Sequence, residues 1–529
     1  MMKRSRSVVT ACMVGVLTMV VASVLFPAFG AGPQGTIYQI TVPKQGALIA
    51  NPVYYCWLPE SVSTYRCIIV HLHGCTMEAT GPQMTSDVQW TTFAKKWNAV
   101  FISPSLATGS DCTNWTKPEN GSGNTFLAVL DSLARRSGHP EITIVPWALW
   151  GHSGGSDWVS WTTAQHPERV AVGVCQASGK DISSYPAVWK VPVLHHNSKV
   201  DLIYNNDSLF LKARAKGALW AHAINPFPQF ITGPGDPASQ GHGAHDMRMI
   251  AIPWMDYALT SRLPDNAGSA QLKDMDTSNA WLGDTLTYAI ASAATFTGDK
   301  LKACWFPNQT FAKLWAEYMV KGTIKDSTPF PPTPYNLTGI YSNKQITLNW
   351  DADADMETGI KTFIIYRNGS VLQTIQYPNA PATPFSAVKG FQRWDYGDQP
   401  NPTAPPNMTF TDATVSDTGT YLYQVSTVNW SDVAGPKSAP IALSRGLATG
   451  TRTISQPSAT ATHTSMFLCS TIGKRVLNLS PGMVDVFDIR GRLIKTLEIR
   501  RATQTNVEEL LGALADKVLL IRNRGRQVL

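Results

Sequence analysis

Buried-strand and helical patterns alternate along the first 320 residues. Continuous apolar runs predict strands covered on both faces, and apolar positions at helical spacing lie between them. The predicted strands are 35–44, 51–58, 67–74, 99–103, 145–150, 169–175, 191–195 and 227–231, and the predicted helices are 90–97, 125–136, 157–165 and 249–259. This alternation indicates an α/β fold with a mostly parallel sheet and helices on both faces.

The pattern changes at the proline-rich stretch Pro329-Phe330-Pro331-Pro332. Beyond it, short alternating strands separated by turn residues predict an all-β sandwich. These strands are 345–350, 362–367, 408–410 and 421–428, with two more near the end of the chain at 483–489 and 517–521. The predicted organisation is 1–30 signal peptide, 31–329 α/β domain, 330–447 sandwich, 448–466 Ser/Thr-rich linker and 467–529 small C-terminal β domain.

The N-terminus predicts export. A basic start, an apolar run over 8–26 and the small residues of Ala28-Phe29-Gly30 are typical of a signal peptide cleaved after Gly30. An uncleaved anchor is the alternative, and no other segment is long enough to span a membrane. Export implies an oxidising compartment. Six cysteines then allow up to three disulfides, and Cys469 would be left over. The six are Cys56, Cys67, Cys75, Cys112, Cys175 and Cys304.

The formal net charge of +7 is concentrated at the two ends of the chain. Lys3, Arg4 and Arg6 lie in the signal peptide, and residues 467–529 contain eleven basic and six acidic side chains. The rest of the chain is close to neutral and has no basic surface pattern for phosphates. We therefore expect no nucleic-acid partner.

The motif Gly151-His152-Ser153-Gly154-Gly155 follows the predicted strand 145–150 and precedes a predicted helix. GxSxG between a strand and a helix is typical of a nucleophile elbow, a tight turn that exposes a serine above the sheet. A glycine-rich loop with an incidental serine is the alternative. The sequence around the motif favours the elbow, with Ser153 as nucleophile.

A serine nucleophile needs a base and a group that orients the base. In the order that this topology requires, Asp201 is the predicted acid and His242 the predicted base. Asp207 and Asp236 are the alternative acids, and His245 is the alternative base.

The backbone N–H groups of Gly154 and Cys75 are the predicted oxyanion donors, with Thr76 as the alternative to Cys75. Cys75 is an alternative nucleophile, but a disulfide, with Cys112 as the suggested partner, is the favoured interpretation in an exported protein.

Histidines offer a competing metal-site hypothesis. His71 and His73 form an HxH pair on a strand, and His195-His196 adds two imidazoles. Consecutive residues on a strand point to opposite faces, and no carboxylate-rich motif stands nearby. No metal or cofactor is therefore expected.

Residues 45–320 resemble secreted α/β-hydrolase esterases of the polyhydroxybutyrate depolymerase and feruloyl or acetylxylan esterase type. The resemblance rests on Leu72-His73-Gly74-Cys75-Thr76, on the GxSxG motif and on Gly241-His242 followed by Asp246-Met247-Arg248. It implies an α/β-hydrolase fold with the roles already given to Ser153, Asp201 and His242.

Two further resemblances concern the rest of the chain. Residues 333–445 are similar to a fibronectin type III domain through Leu348-Asn349-Trp350, Tyr366-Arg367-Asn368-Gly369 and Tyr421-Leu422-Tyr423. The segment Val486-Phe487-Asp488-Ile489-Arg490-Gly491-Arg492 resembles C-terminal sorting domains of type IX secretion. The second resemblance implies contact with a secretion machinery.

The sequence predicts a secreted serine esterase whose substrate is a polymer-linked ester, on plant polysaccharide or in a polyester. A serine peptidase of the same fold and an inactive exported binding protein are the alternatives. Several tryptophans could line a substrate wall, although burial in the core is the more common place for such large rings. They are Trp90, Trp97, Trp115, Trp158, Trp281 and Trp305.

Overall fold

The computed structural model describes residues 34–76, 78, 80–85, 87–109, 112–198, 206–226, 244–324, 331–375, 408–416, 419–429 and 431–444, and six strands between 464 and 524. The chain divides into two compact units, residues 1–453 and 454–529. None of the helices in the described ranges is long and apolar enough to cross a membrane.

An eight-stranded sheet is the framework of the first unit. Its strands are β1 (Gly35–Thr41), β2 (Val53–Pro59), β3 (Cys67–Leu72), β4 (Ala99–Ser105), β5 (Trp147–His152), β6 (Val170–Gln176), β7 (Val193–Ser198) and β8 (Trp220–Asn225). They lie in the order β1-β2-β4-β3-β5-β6-β7-β8. β1 and β2 are antiparallel to their neighbours, and β4, β3 and β5 to β8 run parallel. The predicted α/β class with a mostly parallel sheet is therefore present.

Helices pack on this sheet and cover its central strands. The helices are α1 (Thr80–Met84), α2 (Val88–Lys96), α3 (Ser122–Ser137), α4 (Gly154–Gln165), α5 (Asn206–Arg214), α6 (Ala244–Arg262) and α7 (Gln309–Lys321), with short 3₁₀ turns at Pro118–Asn120, Pro140–Thr143 and Pro186–Lys190. Every residue of β3, β5 and β6 is buried. Their continuous apolar runs follow from this double coverage.

Most predicted elements match observed ones within a few residues, and the differences have local reasons. α4 begins at Gly154 rather than at 157, directly after the serine. β8 was not predicted, because Trp220 to Asn225 mixes small, polar and apolar residues without a continuous apolar run. The predicted strand 227–231 lies outside the described residues.

The cysteines form fewer disulfides than the sequence allows. Cys75 and Cys112 are bonded, as predicted, whereas the free cysteines of the described residues are Cys56, Cys67, Cys175 and Cys304, all buried. Cys56 lies on β2 and Cys67 on β3, with β4 between them. Two strand spacings of about 5 Å put their Cα atoms beyond the reach of a disulfide. Among the described residues, Cys75–Cys112 is therefore the one disulfide that forms, out of the up to three that the sequence allows.

A small three-stranded sheet follows the helical part of the chain. It consists of β9 (Trp281–Gly283), β10 (Ile290–Ser292) and β11 (Cys304–Phe306), in the order β10-β9-β11. Its residues Leu282 and Phe306 belong to the same hydrophobic core as the large sheet. This sheet was not predicted from the sequence.

Two further sheets form the all-β part of the first unit. Their strands are β12 (Tyr335–Ser342), β13 (Gln345–Asp351), β14 (Thr362–Arg367), β15 (Ser370–Ile375), β16 (Thr409–Asp412), β17 (Thr420–Val428) and β18 (Ile441–Ser444). One sheet has the order β12-β13-β16 and the other β15-β14-β17-β18. Both contribute to one hydrophobic cluster, with Leu348 and Trp350 from the first and Phe363 and Val425 from the second. We call this pair of sheets the sandwich.

Helix α2 joins the α/β part to the sandwich. Val88 belongs to the sandwich's hydrophobic cluster, and Thr92 Oγ1 accepts a hydrogen bond of 2.9 Å from Ala354 N. Gln89 bridges the two sides: its Nε2 donates to Met356 O at 3.1 Å, and its Oε1 accepts from Arg248 NH1 at 3.2 Å. The α/β part and the sandwich are thus packed together through this helix.

The second unit contains only strands among its described residues. They are β19 (Thr464–Cys469), β20 (Val476–Leu479), β21 (Gly482–Phe487), β22 (Leu493–Ile499), β23 (Thr503–Asn506) and β24 (Leu519–Arg524). They form sheets of order β19-β24-β21-β22 and β20-β23. The two strands predicted here, 483–489 and 517–521, correspond to β21 and β24.

Candidate active site

Two turns lie side by side at the carboxyl edge of the large sheet. β3 and β5 are parallel neighbours, and Leu72 at the end of β3 is paired with Gly151 near the end of β5. We call residues 73–76, which follow β3, the oxyanion turn, and residues 151–155 the elbow. Parallel strands deliver both turns to the edge where open α/β sheets bind their ligands.

Ser153 stands at the apex of the elbow in an unusual backbone conformation. Its φ is 50° and its ψ is −116°, a region that residues with a side chain rarely adopt. Ser153 is partly exposed, whereas His152 before it and Gly154 after it are buried. The strand-to-helix turn predicted from GxSxG is therefore present, and its geometry presents the serine side chain outward.

The glycines of the elbow are required by close backbone contacts. A Cβ on Gly151 would lie 2.3 Å from Gly155 O, and a Cβ on Gly155 would lie 2.6 Å from Leu72 O. Both distances are far below van der Waals contact, and the opposing atoms belong to the backbone. Only glycine lets α4 start this close to the ends of β3 and β5.

Hydrogen bonds attach the elbow to the neighbouring strand β6. Ser153 N donates to Gln176 O at 2.8 Å. The Ser156 hydroxyl lies 2.6 Å from Gly151 O and 2.7 Å from Gln176 O. Ser156 thus ties the strand side and the helix side of the turn together, a role that the sequence analysis missed.

The Cys75–Cys112 disulfide packs against the elbow. A Cβ on Gly154 would lie 2.7 Å from Cys75 Sγ and 2.9 Å from Cys112 Sγ, so the disulfide touches the residue that follows the serine. The bonded sulfur of Cys75 is not a thiolate, which removes the alternative in which Cys75 is the nucleophile. The contact brings the two residues proposed as oxyanion donors together.

His73 orients the peptide between Gly74 and Cys75. Its Nδ1 lies 2.6 Å from Gly74 O, and its Nε2 accepts a hydrogen bond of 2.9 Å from Leu106 N. Because Nε2 is the acceptor, Nδ1 carries the proton and donates it to Gly74 O. Burial lowers the pKa of His73 to about 4, which keeps the ring in this neutral form.

The two candidate donors of the oxyanion turn differ in whether their N–H groups are already hydrogen-bonded. Thr76 N donates to Thr108 Oγ1 at 3.1 Å, so this N–H group is already engaged. No atom in the described part of the chain accepts a hydrogen bond from Cys75 N or Gly154 N. This favours Cys75 over Thr76 as the partner of Gly154 in an oxyanion hole.

The predicted acid and base are not placed by the structure. Asp201 and His242 lie outside the described residues, as does the alternative acid Asp236. The backbone of Asp207 lies in α5 and that of His245 in α6. The roles of Asp201 and His242 therefore stay predictions.

The histidines of the metal-site hypothesis have other contacts. His71 stacks on Trp150 at 4.1 Å between ring centroids, and His196 Nε2 lies 2.8 Å from Tyr318 Oη. Burial lowers the pKa of His195 to about 3, with a smaller contribution from the charge of His222. No group of three or more potential metal ligands occurs among the residues that the structure describes.

Asp157 is a charged neighbour of the elbow that the sequence analysis did not single out. It lies in the first turn of α4, where Lys180 Nζ is 2.9 Å away and Ser178 Oγ donates to it at 2.7 Å. Burial raises the pKa of Asp157, although the hydrogen bonds from Lys180 and Ser178 oppose the shift. Its spacing of four residues from Ser153 is a sequence signal that would have identified Asp157 as a neighbour of the elbow.

Most of the tryptophans considered as substrate contacts belong to the core. Trp281 is partly exposed. The buried ones are Trp90, Trp97, Trp115, Trp158 and Trp305. The expectation that more of them are core residues than substrate contacts is confirmed.

No protein-family model matches the chain, and no curated protein is similar to it. Solved structures similar to parts of the chain include those of esterases, a poly(aspartic acid) hydrolase and a serine hydrolase. A thermostable esterase is 17% identical, with 36% of this chain and 54% of the esterase covered, and a TM-score of 0.30. This chain thus spans about half of that esterase.

Two other similar structures are covered nearly whole. Poly(aspartic acid) hydrolase-1 from Sphingomonas sp. KT-1 is 14% identical, with 37% of this chain and 92% of the hydrolase covered, and a TM-score of 0.29. A ferulic acid esterase is 12% identical, with 36% and 90% covered, and a TM-score of 0.29.

Proposed function

We propose that this chain is a secreted serine esterase that hydrolyses polymer-linked carboxylic esters through an acyl-enzyme. Residues 31–329 would form an α/β-hydrolase catalytic domain, and residues 330–447 a fibronectin type III domain. Residues 467–529 would act as a C-terminal sorting domain that contacts a secretion machinery. The motifs in the sequence support each of these assignments.

The observation that carries the proposal is the backbone of Ser153. A partly exposed serine at φ 50° and ψ −116°, between a fully buried strand and the first residue of a helix, is strained. Such strain persists only where the surrounding structure imposes it, and here the glycines of the elbow do so. The start of α4 adds the positive end of a helix dipole beside the serine.

The proposed reaction combines the observed elbow with the acid and base predicted from the sequence. Ser153 Oγ attacks the ester carbonyl carbon while its proton passes to His242, which Asp201 holds in the correct tautomer. The N–H groups of Gly154 and Cys75 donate to the oxyanion of the tetrahedral intermediate. The intermediate expels the alcohol, which takes the proton from His242. Water then gives a proton to His242 and attacks the acyl carbonyl carbon. The bond to Ser153 Oγ breaks, the acyl group leaves as the carboxylic acid, and His242 returns the proton to Ser153 Oγ.

The proposed substrates are feruloyl or acetyl esters of plant polysaccharide, or a polyester. Secretion is supported by the signal-like residues 1–30 and by the Cys75–Cys112 disulfide, which suits an oxidising compartment. Once the signal peptide is cleaved, stable membrane insertion is not part of the proposal.

The test combines covalent labelling with a substrate panel. A fluorophosphonate should label the wild type, and Ser153→Ala should abolish both labelling and release of product from methyl ferulate, acetylated xylan and a short polyester. Ser137→Ala, at the end of α3, is the control and should keep both. Unchanged ester hydrolysis in Ser153→Ala would refute the nucleophile, and cleavage of peptides without cleavage of esters would favour a serine peptidase.

A further inference from the structure

A directed chain of hydrogen bonds supports the oxyanion turn from the loop after β4. Thr108 N and Thr108 Oγ1 lie 2.7 Å and 2.6 Å from the same carboxylate oxygen, Glu78 Oε1. An ionised carboxylate only accepts, so the Thr108 hydroxyl must donate its proton to Glu78. The oxygen of that hydroxyl is then left to accept from Thr76 N. The carboxylate thereby sets the direction of the whole chain.

The ionised state of Glu78 agrees with this direction. Burial disfavours its charge, but the hydrogen bonds from the Thr108 hydroxyl and backbone outweigh burial and lower its pKa. Hydrogen bonds to a charged acceptor are also stronger than those between neutral groups. The hydrogen bonds from Thr108 to the Glu78 carboxylate are thus the strongest in this series.

Thr76, whose N–H group is bonded to Thr108, has a strained backbone conformation. Its φ is 62°, which is a steric outlier for a β-branched side chain. Its hydroxyl donates to Cys75 O at 2.6 Å, so the peptide between Cys75 and Thr76 is bonded at both its oxygen and its nitrogen. Among the described residues, Thr108 Oγ1 is the acceptor for Thr76 N, so its removal would take this support away.

The two peptides on either side of Cys75 are therefore fixed from one loop. His73, bonded to Leu106 N, holds the peptide before Cys75, and Thr108 holds the peptide after it. Leu106 and Thr108 both follow β4. The N–H group of Cys75 belongs to the first of these planar peptides, and fixing the second peptide limits rotation about the backbone bonds of Cys75.

We propose that Glu78, acting through Thr108, is a positioning residue that aims the Cys75 N–H at the oxygen that becomes negative in the transition state. The inference rests on the proposed esterase function and adds residues that the sequence motifs do not mark. Neither Glu78 nor Thr108 touches the substrate in this proposal. Their effect on the reaction passes through the backbone of residues 75 and 76.

The experiment compares variants of the full chain with p-nitrophenyl acetate as substrate. Glu78→Ala and Thr108→Val should lower kcat by about 10- to 100-fold and change KM by less than about twofold. The reason is that a misoriented Cys75 N–H weakens the hydrogen bond to the oxyanion of the transition state but has little effect on binding of the substrate. Thr108→Ser keeps the hydroxyl and should restore kcat to within about threefold of the wild type. Thr143→Val, which removes a hydroxyl bonded to Pro140 O before β5, is the control and should keep kcat.

Hydrogen exchange supplies a readout that does not depend on turnover. The amide of Thr76 should be protected in the wild type and in Thr108→Ser, and it should exchange faster in Glu78→Ala and Thr108→Val. Equal kcat and equal exchange in all four proteins would overturn the proposal. A loss of kcat that follows only a loss of folded protein, measured by thermal unfolding, would also overturn it.

Labelling distinguishes the failure of this inference from the failure of the proposed function. If a fluorophosphonate labels Ser153 in the wild type and the variants behave like the wild type, only the positioning role fails. If the wild type is neither labelled nor active on the ester, both proposals fail.

Discussion

The elbow and the oxyanion turn meet at one edge of the sheet but are held by different kinds of interaction. The elbow depends on close backbone approach, since a Cβ on Gly151 or Gly155 would lie 2.3 Å or 2.6 Å from backbone atoms, and on hydrogen bonds to β6. The oxyanion turn is held by side chains, through His73, Thr108 and the Cys75–Cys112 disulfide. Steric contact tolerates no substitution, whereas side-chain contacts can be weakened one at a time.

The largest expected effect is therefore at the elbow. Gly151→Ala should lower the free energy of unfolding by more than about 5 kcal/mol, or prevent folding, because the opposing atoms are backbone and cannot rotate away. Gly173→Ala in β6 is the matched control, since its Cβ would meet ordinary contacts of 3.4 Å or more. Urea unfolding measures both, and similar stabilities of the two variants would contradict the steric account.

Removal of the disulfide should have the next largest effect. The bond closes a loop with a sequence separation of 37 residues, so the double variant Cys75→Ser/Cys112→Ser should be less stable by about 4 kcal/mol. Its kcat should also fall, since the disulfide packs on Gly154. Urea unfolding with and without reductant provides the check. The wild type should respond to reductant, and a further response of the double variant would argue against a single structural disulfide.

Acid should weaken the oxyanion turn through His73. The pKa of His73 is about 4 in the folded protein and about 6.5 when unfolded, so between these values the unfolded chain binds a proton that the folded chain does not. Stability therefore falls as the pH drops from 6.5 to 4, by about 3 kcal/mol at most for this group. Unfolding of wild type and His73→Asn at several pH values should show a shallower pH dependence in the variant. Parallel curves would mean that folding does not shift the pKa of His73.

The smallest expected effect is at the junction with the sandwich, which touches neither turn. Lys95 and Asp353 form an ion pair of 2.7 Å, and the Lys95 side chain is 43% exposed. Such a pair contributes less than about 1 kcal/mol, so Lys95→Ala should change stability only slightly and leave kcat unchanged. A large loss of activity in this variant would show that the turns depend on the sandwich as well as on their own contacts.

Local sequence was informative about the elbow because its requirements are local. GxSxG predicts a strand, a serine at a sharp turn and a helix, and β5, Ser153 and α4 follow in that order. The Asn368-Gly369 pair works in the same way, with φ values of 52° and 84° between β14 and β15. In both cases the pattern encodes backbone angles that neighbouring residues alone decide.

The oxyanion turn was predictable only in part. The sequence indicated Cys75 and Thr76 as alternative donors and suggested Cys112 as a partner of Cys75, but it could not choose between the donors. Thr108 and Glu78 decide the choice, and Thr108 lies 32 residues beyond Thr76. Nothing in a single sequence marks a threonine after one strand as the acceptor for an amide after another.

The sequence by itself determined the α/β alternation, the all-β region and the place of Ser153 on a strand-to-helix turn. These features depend on hydrophobic periodicity and on backbone angles, which nearby residues carry. The tertiary structure decided which cysteines pair, which N–H group stays available beside Ser153, and which face of α2 receives the sandwich. Those outcomes depend on strand order and on contacts between distant segments, because the sheet places β3 beside both β4 and β5.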